Sequence, residues 1–510
     1  MSLMIKSALL ILPVLLAGAA QSDPIVYQVN GGQRTPISSY VYGHNHPDWG
    51  KQGWTAPLSR VGGNRLTAYN WETNASNAGS DWHHQNDNLM GNDVPGEAVR
   101  RAVAAAQERG AACVVTVPIV GRVAADKNGG GDVAKTPDYL NKRFVVSLSK
   151  KDAPFSDPPD LTDGKVYQDE FVDWLEKKFP KARIFYNLDN EPELWSHTHA
   201  RIHPEKVRFD ELVRLNVEYA GAVKRVAPKA LVFGFVSYGW HGFTTLQNAP
   251  DRNGRDFTDF YLQEMSAAEK TAGRRLVDVL DVHFYPEAQG AKKRVTEDDS
   301  SPEVAVARIQ SPRSLWDPSY KESSWIAAAA GAIRLLPRLR EKIEKHYPGT
   351  KLALTEYYYG GGDHISGALA QADVLGIYGR EGVFAAALWH LGRTDDRFIH
   401  AAFAMFRNYD GADGAFGDQG LAVTGGDPAR ASLYASVDAK GRTVLVALNK
   451  TDAPLPLRID LKAVPSFKTV AVYRLTAAEP RPVAQPDVNP SGGALVLELP
   501  AFSVTTLATK

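Results

Sequence analysis

Two glutamates in this sequence stand where an enzyme could place reactive carboxylates. Glu191 follows the apolar segment Ile184-Phe185-Tyr186 and precedes Pro192, whose ring stiffens the backbone. Glu356 follows a second apolar segment, Leu352-Ala353-Leu354. One protonated and one ionised carboxyl group can cleave a glycosidic bond, and separate strands allow them different environments. Taken alone, Glu191 could also lie in a solvated acidic turn, but the pair favours a glycosidase.

The residues around the two glutamates resemble a known family. Asn190-Glu191-Pro192 after a fourth predicted strand, with Glu356 ending a seventh, resembles the retaining (β/α)8 glycosidases of clan A. The longer run from Asp189 to His199 is similar to glycoside hydrolase family 44. The resemblance implies that Glu191 is the catalytic acid/base and that Glu356 is the nucleophile.

The same resemblance implies a set of substrate-binding residues. Asn190 should bond the sugar 2-hydroxyl, Tyr285 should donate a hydrogen bond to the nucleophile, and His283 should help to order the site. Trp389 should form the floor beneath the cleaved sugar. The full set is Asn45, Arg65, Trp71, Asn190, His283, Tyr285, Trp316 and Trp389.

Three members of this set carry more specific expectations. Arg65 and Trp71 are expected to line the site, and Trp316 is expected to stack on a more distant sugar. An arginine near the nucleophile would favour its ionised form. Packing in the core or in a loop is the alternative for the tryptophans, because aromatic residues often fill protein interiors.

An alternation of short apolar segments with helical stretches predicts an α/β fold, a (β/α)8 TIM barrel. The predicted strands are Ser39–Tyr42, Leu58–Val61, Ala112–Val117, Arg183–Tyr186, Leu231–Phe235, Val279–His283, Leu352–Thr355 and Phe384–Leu388. The predicted helices include Gly96–Arg109, Tyr167–Lys178, Phe209–Val226 and Trp325–His346.

The C-terminal part changes to alternating strands and turns, which predicts a C-terminal antiparallel β-sandwich domain. Its strands are Leu433–Val437, Thr443–Asn449, Leu455–Leu461, Thr469–Leu475, Ala494–Leu499 and Ser503–Ala508. The predicted divisions are a signal peptide at 1–20, an N-terminal strand at 21–36 joining the sandwich, the barrel at 37–396, and a connector with the sandwich at 397–510. These sandwich strands lack tryptophan, which favours a structural role over sugar binding.

Composition restricts the partners of the chain. The 510 residues balance 58 Lys and Arg against 58 Asp and Glu, which argues against nucleic acid and fits a neutral ligand. Lys6, the apolar stretch that follows it and Ala17-Gly18-Ala19-Ala20 are typical of a secretory signal. We therefore expect a secreted or periplasmic monomer with no membrane anchor. The single cysteine, Cys113, excludes an intramolecular disulfide.

No cofactor and no catalytic metal are expected. The segment from Asp126 to Asp132 is half a calcium loop without the closing glutamate, so a solvated glycine-rich loop is favoured. The family resemblance still allows a structural calcium. His197, His199 and His203 lack a zinc pattern and are interpreted as loop residues.

These observations predict a retaining enzyme that cleaves internal β-1,4-glucosidic bonds of xyloglucan or soluble cellulose, with a β-glucan polysaccharide as its partner. The residues alone reach only a two-carboxylate glycosidase, and the substrate class comes from the resemblance. Two alternatives remain open: another clan A activity, xylanase or mannanase, and a catalytically silent glycan-binding protein.

Overall fold

The computed structural model describes residues 23–50, 53–391 and 395–510, so the predicted signal peptide lies outside the described residues. Eight parallel strands close into a barrel, which confirms the predicted fold class. In chain order, the first to eighth barrel strands are Gly43–Asn45, Leu58–Val61, Ala112–Val117, Arg183–Leu188, Val232–Ser237, Val279–Phe284, Lys351–Tyr357 and Ala385–Leu388.

The first barrel strand differs from the prediction. Ser39–Tyr42 is a 3-10 helix, and the strand is Gly43–Asn45. The aromatic and β-branched residues of the predicted segment favour a strand on propensity alone. Here the Ser38 side chain accepts a hydrogen bond from the Tyr40 backbone N–H and caps the short helix instead.

Helices follow the barrel strands on the outside. They are Asn64–Thr67, Glu97–Glu108, Tyr139–Lys142, Gln168–Lys178, Trp195–Thr198, Phe209–Val226, Trp240–Thr245, Phe257–Ala272, Pro302–Gln310, Trp325–Ala330, Leu335–His346, Ile365–Arg380 and Arg397–Arg407. The single helix predicted at Trp325–His346 is wrong, because two helices form. Gly331, at φ +74°, ends the first of them, and Arg334, also at positive φ, precedes the second.

The interior of the barrel changes from apolar to polar along its strands. Inward-facing residues near the amino ends form an apolar cluster that includes Leu58, Val279 and Ala353. Two positions further along the same strands lie Arg60, Asp281 and Thr355, all fully buried. Because side chains alternate between faces, these polar residues face inward as well. The polar layer therefore lies directly beneath the mouth where the strands end.

The second domain is a nine-stranded sheet folded around its own apolar core, as expected of a β-sandwich. Its order is Glu479–Val488, Val470–Thr476, Ser503–Thr509, Thr443–Asn449, Ala431–Val437, Gln419–Gly425, Ile25–Pro36, Leu455–Lys462 and Ala494–Leu499. Neighbours are antiparallel except Ile25–Pro36 with Leu455–Lys462, which are parallel. The N-terminal strand thus lies inside this sheet.

Two strands of this sheet were absent from the prediction. Glu479–Val488 contains three prolines and lies at one edge, where missing N–H donors are tolerated. Gln419–Gly425 carries a glycine at each end of a short apolar stretch, which weakens its pattern. Further short strands at the barrel mouth are Ser76–Asn77, Asn86–Asp87, Arg122–Ala124, Phe144–Leu148, Lys165–Tyr167, Gln289–Gly290 and Lys293–Arg294.

The barrel and the sandwich are joined through buried contacts. Helix Arg397–Arg407, just past the predicted boundary, packs against helix Ile365–Arg380 and against sandwich strands. The Lys450 ammonium of the sandwich lies 2.7 Å from Asp373 on Ile365–Arg380, and both side chains are 1% exposed. Within the described ranges, no helix combines the length and apolar character needed to cross a membrane.

Candidate active site

Glu191 is held at the mouth by an unusual backbone. It lies just after the end of the fourth strand. Its φ is +48°, a left-handed conformation that costs a non-glycine residue roughly 1–2 kcal/mol. Its backbone N–H donates to the Val236 carbonyl at the end of the fifth strand. The neighbouring Asp189 is buried and accepts hydrogen bonds from Thr67, Trp195 and the backbone of Ile119. These contacts stabilise the strained turn and fix the position of Glu191.

Glu356 lies near the end of the seventh strand and has two charge-stabilising partners. Arg60 Nη1, fully buried on the second strand, donates to Glu356 Oε1 at 2.7 Å. The Tyr285 hydroxyl donates to Glu356 Oε2 at 2.9 Å. Hydrogen bonds to a carboxylate favour its ionised form. This environment suits an attacking carboxylate.

The two glutamates lie close together. One carboxylate oxygen of Glu191, one of Glu356 and a ring nitrogen of His283 all lie within 4.8 Å of one another. An inverting pair would be separated by roughly 6.5–9.5 Å, to leave room for a water between carboxylate and sugar. The spacing fits direct attack by one carboxylate.

The two glutamates differ in their electrostatics. Burial raises the pKa of Glu191 to about 7; the Arg60 charge opposes this rise, and the Asp81 charge adds to it. His283 Nδ1 lies 2.8 Å from Glu191 Oε1, and burial lowers the pKa of His283 to about 3, so this imidazole is neutral. A Glu191 that keeps its proton near neutral pH, beside a Glu356 paired with arginine, can act as an acid.

Trp389 follows the eighth strand and is partly exposed, as a sugar platform requires. Its indole lies beside Gly63, at φ +91°, where an added Cβ would come within 2.7 Å of the ring. His46 meets the same indole edge-on, with ring centroids 5.5 Å apart. The glycine is therefore required for this placement of the Trp389 ring.

Asn190 and Asn45 both bind Arg60. Asn190 Oδ1 accepts from Arg60 Nη2 at 2.8 Å, and one amide N–H donates to Asn64. The other N–H of Asn190 makes no hydrogen bond among the described residues, so it can donate to a sugar hydroxyl. Asn45 instead donates its amide hydrogens to the carbonyls of Thr355, Ala387 and Leu388. It ties neighbouring strands together and orients Arg60 rather than offering donors to a ligand.

Three residues that the sequence predicts to line the site, Arg65, Trp71 and Trp316, lie elsewhere in the structure. The Arg65 guanidinium pairs with Asp87 at 2.6 Å and bonds Ser76, and it is Arg60 that contacts Glu356. Trp71 is fully buried and packs against Phe171 and Trp174, so it cannot line an open cleft.

Trp316 lies away from the barrel mouth. It lies under the Arg380 guanidinium, 4.0 Å from its ring centroid. Arg380 ends helix Ile365–Arg380, which starts at the carboxyl end of the seventh strand and therefore ends at the opposite face. A sugar bound at the mouth would not reach this tryptophan.

Two residues that the sequence reasoning overlooked belong near the site. Arg60 lies within the predicted strand Leu58–Val61, and an arginine inside a buried strand needs a buried partner, which indicates a site. Trp82 is 53% exposed and follows Asp81, whose carboxylate accepts from Asn64, itself bonded to Asn190. A large exposed indole beside the mouth can stack on a sugar ring.

The aspartates and histidines that resemble metal ligands are bonded to other protein groups. Asp126 pairs with Arg143, and Asp132 pairs with Arg201 at 2.6 Å. His203 bonds Glu211, while His199 is buried beside the Thr198 hydroxyl. The arginines supply the positive charge that a cation would otherwise provide to the two aspartates.

Comparisons with known proteins find related sequences that span the candidate site. The family model described as glycoside hydrolase family 44 matches residues 75–288, which include Glu191 and Tyr285. Endoglucanase A of Paenibacillus lautus is 41% identical over 480 residues, covering 89% of this chain and 68% of that protein.

Solved structures extend the likeness to the whole fold. A family 44 xyloglucanase of Paenibacillus polymyxa, solved with xyloglucan, is 38% identical with a TM-score of 0.91, covering 95% of this chain and 99% of that one. A bifunctional glucanase-xylanase from a metagenome library is 32% identical with a TM-score of 0.82, covering 96% and 99%. The chain therefore belongs to glycoside hydrolase family 44.

Proposed function

We propose that this glycoside hydrolase is a retaining endo-β-1,4-glucanase acting on xyloglucan or soluble cellulose chains. The observation that carries the mechanism is the pair of carboxylate oxygens within 4.8 Å, one carboxyl beside a neutral histidine and the other on an arginine. The substrate class is supported by the names of the Paenibacillus relatives, an endoglucanase and a xyloglucanase.

The mechanism has two displacements at the anomeric carbon. Glu356 attacks this carbon and forms a glycosyl ester, while Glu191 gives its proton to the departing glycosidic oxygen. Glu191, now ionised, then takes a proton from a water molecule that attacks the same carbon. The ester breaks, Glu356 leaves as a carboxylate, and the product keeps the configuration of the substrate.

Substitution of each glutamate tests these roles. Glu356→Gln should abolish turnover of every substrate, because no nucleophile remains. Glu191→Gln should retain turnover of aryl glycosides with good leaving groups, which need little protonation, and azide should increase it further. The measurements are rates on a polymer and on an aryl glycoside, with and without azide. Rescue of Glu356→Gln in place of Glu191→Gln would reverse the two roles.

A second candidate activity is xylan hydrolysis, which the 32% identical glucanase-xylanase favours. A product profile on xyloglucan, carboxymethylcellulose, lichenan, xylan and mannan separates the candidates. Release of reducing ends mainly from xylan or mannan would overturn the glucanase assignment. Absence of reducing ends from all five polymers would instead favour a silent glycan-binding protein.

We also propose that the enzyme is exported and works as a monomer. Support comes from the n-region charge, apolar stretch and small-residue site at the N-terminus, and from a polymeric substrate that cells do not import intact. Sequencing the N-terminus of protein recovered outside the cytoplasm should show removal of about the first twenty residues. Gel filtration with light scattering should give the mass of one chain.

A further inference from the structure

A chain of hydrogen bonds runs behind the two glutamates. Asp281 Oδ2 accepts from the Thr355 hydroxyl at 2.7 Å, and Asp281 Oδ1 accepts from the Thr355 backbone N–H at 3.2 Å. Thr355 Oγ1 lies 3.3 Å from His283 Nε2, and His283 Nδ1 lies 2.8 Å from Glu191 Oε1. Asp281, Thr355 and His283 are all fully buried, so no bulk water competes for these contacts.

Proton counting assigns a direction to this chain. A threonine hydroxyl has one proton, and a carboxylate can only accept. Burial raises the pKa of Asp281 to about 6, against the opposing charge of Arg60, so Asp281 is ionised at neutral pH and accepts the hydrogen bond that the Thr355 hydroxyl donates. The Thr355 oxygen is then left as an acceptor, and the ring nitrogen facing it, His283 Nε2, supplies the proton.

A neutral imidazole carries only one N–H, so a proton on Nε2 leaves Nδ1 bare. We propose that Asp281 and Thr355 are positioning residues that hold His283 in the Nε2–H tautomer, so that Nδ1 accepts a hydrogen bond from protonated Glu191. The proposal rests on the acid/base role assigned to Glu191 above.

The opposite tautomer would have the opposite effect. An Nδ1–H would donate to the ionised Glu191 at 2.8 Å, or to Glu356 Oε2 at 3.4 Å, and would favour both carboxylates in their charged form. With a bare Nδ1, the two glutamates instead differ in protonation. The bare nitrogen favours the proton on Glu191, while Arg60 and Tyr285 hold the charge of Glu356.

Other charges around Glu191 do not replace this effect. Arg60 faces it from the second strand and favours its ionised form, whereas Asp81 acts from the mouth loop in the opposite sense. Glu193 is fixed by Ser237 and the Tyr238 backbone N–H. The bare nitrogen acts in both displacements: it favours the proton on Glu191 before bond cleavage, and it increases the basicity of Glu191 when water is activated.

The wild-type enzyme provides the first test, because it needs no variant to fold. The protein is labelled with nitrogen-15 at its histidines and studied by NMR. The nitrogen chemical shifts of the His283 ring, and their couplings to the ring protons, should show a proton on Nε2 alone near neutral pH. The His283 signal is assigned by its absence from a His283→Asn variant. A ring protonated at Nδ1, or at both nitrogens, would overturn the proposal.

The second test uses Thr355→Val, which keeps the shape of the side chain but removes the acceptor for Nε2–H. The His283 proton should move to Nδ1 and donate to Glu191. The basic limb of the kcat/KM profile, which reports Glu191 in the free enzyme, should then move to lower pH by about one unit. Thr355→Ser retains the hydroxyl and should keep the wild-type limb.

The outcomes separate this proposal from the assignment of roles. An unmoved basic limb in folded Thr355→Val, or a limb moved equally by Thr355→Ser, would contradict the tautomer mechanism. An incorrect acid/base assignment would instead show as missing azide rescue in Glu191→Gln, whatever tautomer His283 adopts. Circular dichroism confirms that each variant is folded before its profile is interpreted.

Discussion

At the scale of single residues, one guanidinium organises the site. Arg60 donates to Glu356, Asn45 and Asn190, which lie on three other barrel strands or directly after them. It is fully buried, so its charge acts on these groups without screening by bulk water. The planar fork holds the Glu356 carboxylate and the Asn190 amide in a fixed relation that a point charge could not reproduce.

Arg60→Lys should therefore lower kcat/KM by roughly a hundredfold. Lysine keeps the charge but cannot donate to three oxygens at once. Each hydrogen bond to a charged group is worth about 1.5–3 kcal/mol, which corresponds to a loss of this size. Arg65→Lys is the matched control, since its guanidinium pairs with Asp87 instead. Steady-state kinetics on a soluble glucan measure both. A larger loss in the Arg65 variant would place the functional arginine at 65.

The pKa of Glu191 sets the basic side of the pH profile. Glu191 works as an acid only while protonated, and burial raises its pKa to about 7. Activity on a polymer should thus fall as the pH rises through about 7. With an aryl glycoside that has a good leaving group, the basic limb of kcat/KM should flatten, because bond cleavage no longer needs that proton. An equal basic limb on both substrates would assign it to another group.

At the scale of elements, the loop after the second strand must pass close to Trp389, the proposed sugar platform after the eighth. Gly63 meets Trp389, and only a residue without a Cβ fits there. Gly121 shares a similar positive φ, +88° against +91°, but no atom of the described residues lies within 4 Å of a Cβ added there. Substitutions at the two glycines therefore distinguish the effect of backbone strain from the effect of contact with Trp389.

Gly63→Ala should displace the Trp389 indole and lower kcat/KM by at least about tenfold, while Gly121→Ala should leave kcat/KM near wild type. Both should lose stability, by roughly 1–3 kcal/mol, from the strained backbone. Chemical denaturation gives the stability and steady-state kinetics give the activity. Equal losses of activity in the two variants would show that strain alone is responsible.

The sequence predicted the elements better than their contacts. Apolar segments such as Ala112–Val117 have a local signature in the sequence. The two glutamates have one too, because each of them follows such a segment. Arg60 was overlooked because its importance comes from partners about 130 and 300 positions away, which no local pattern records. Trp71 and Trp316 were placed at the site because tryptophan suits both a core and a platform, and only packing distinguishes them.

At the scale of the molecule, a buried ion pair joins the two domains. Lys450 bonds Asp373 and the Pro428 carbonyl, and the Tyr434 hydroxyl donates to the other oxygen of Asp373. A buried charge left without its partner is strongly destabilising. The pair thus makes the barrel and the sandwich depend on each other.

Lys450→Met should destabilise the protein by roughly 3–5 kcal/mol, because Asp373 keeps a buried charge without its cation. The double variant Lys450→Met, Asp373→Leu should recover much of this loss. Lys510→Met is the control, since its pair with Asp487 is about half exposed, and it should cost at most about 1 kcal/mol. Denaturant unfolding measures all three, and equal losses for Lys450→Met and Lys510→Met would contradict the role of burial.

The strand Ile25–Pro36 has a consequence for the order in which the molecule is built. It lies between Gln419–Gly425 and Leu455–Lys462, which are roughly four hundred positions further along the chain. A ribosome makes this strand before the barrel and its two neighbours after the barrel, so its edges stay unpaired while the whole barrel is synthesised. Unpaired strand edges attract other chains. Assembly should therefore be most vulnerable to aggregation in the interval before residues 419–462 emerge, and a chaperone that covers this one early segment would protect the entire enzyme.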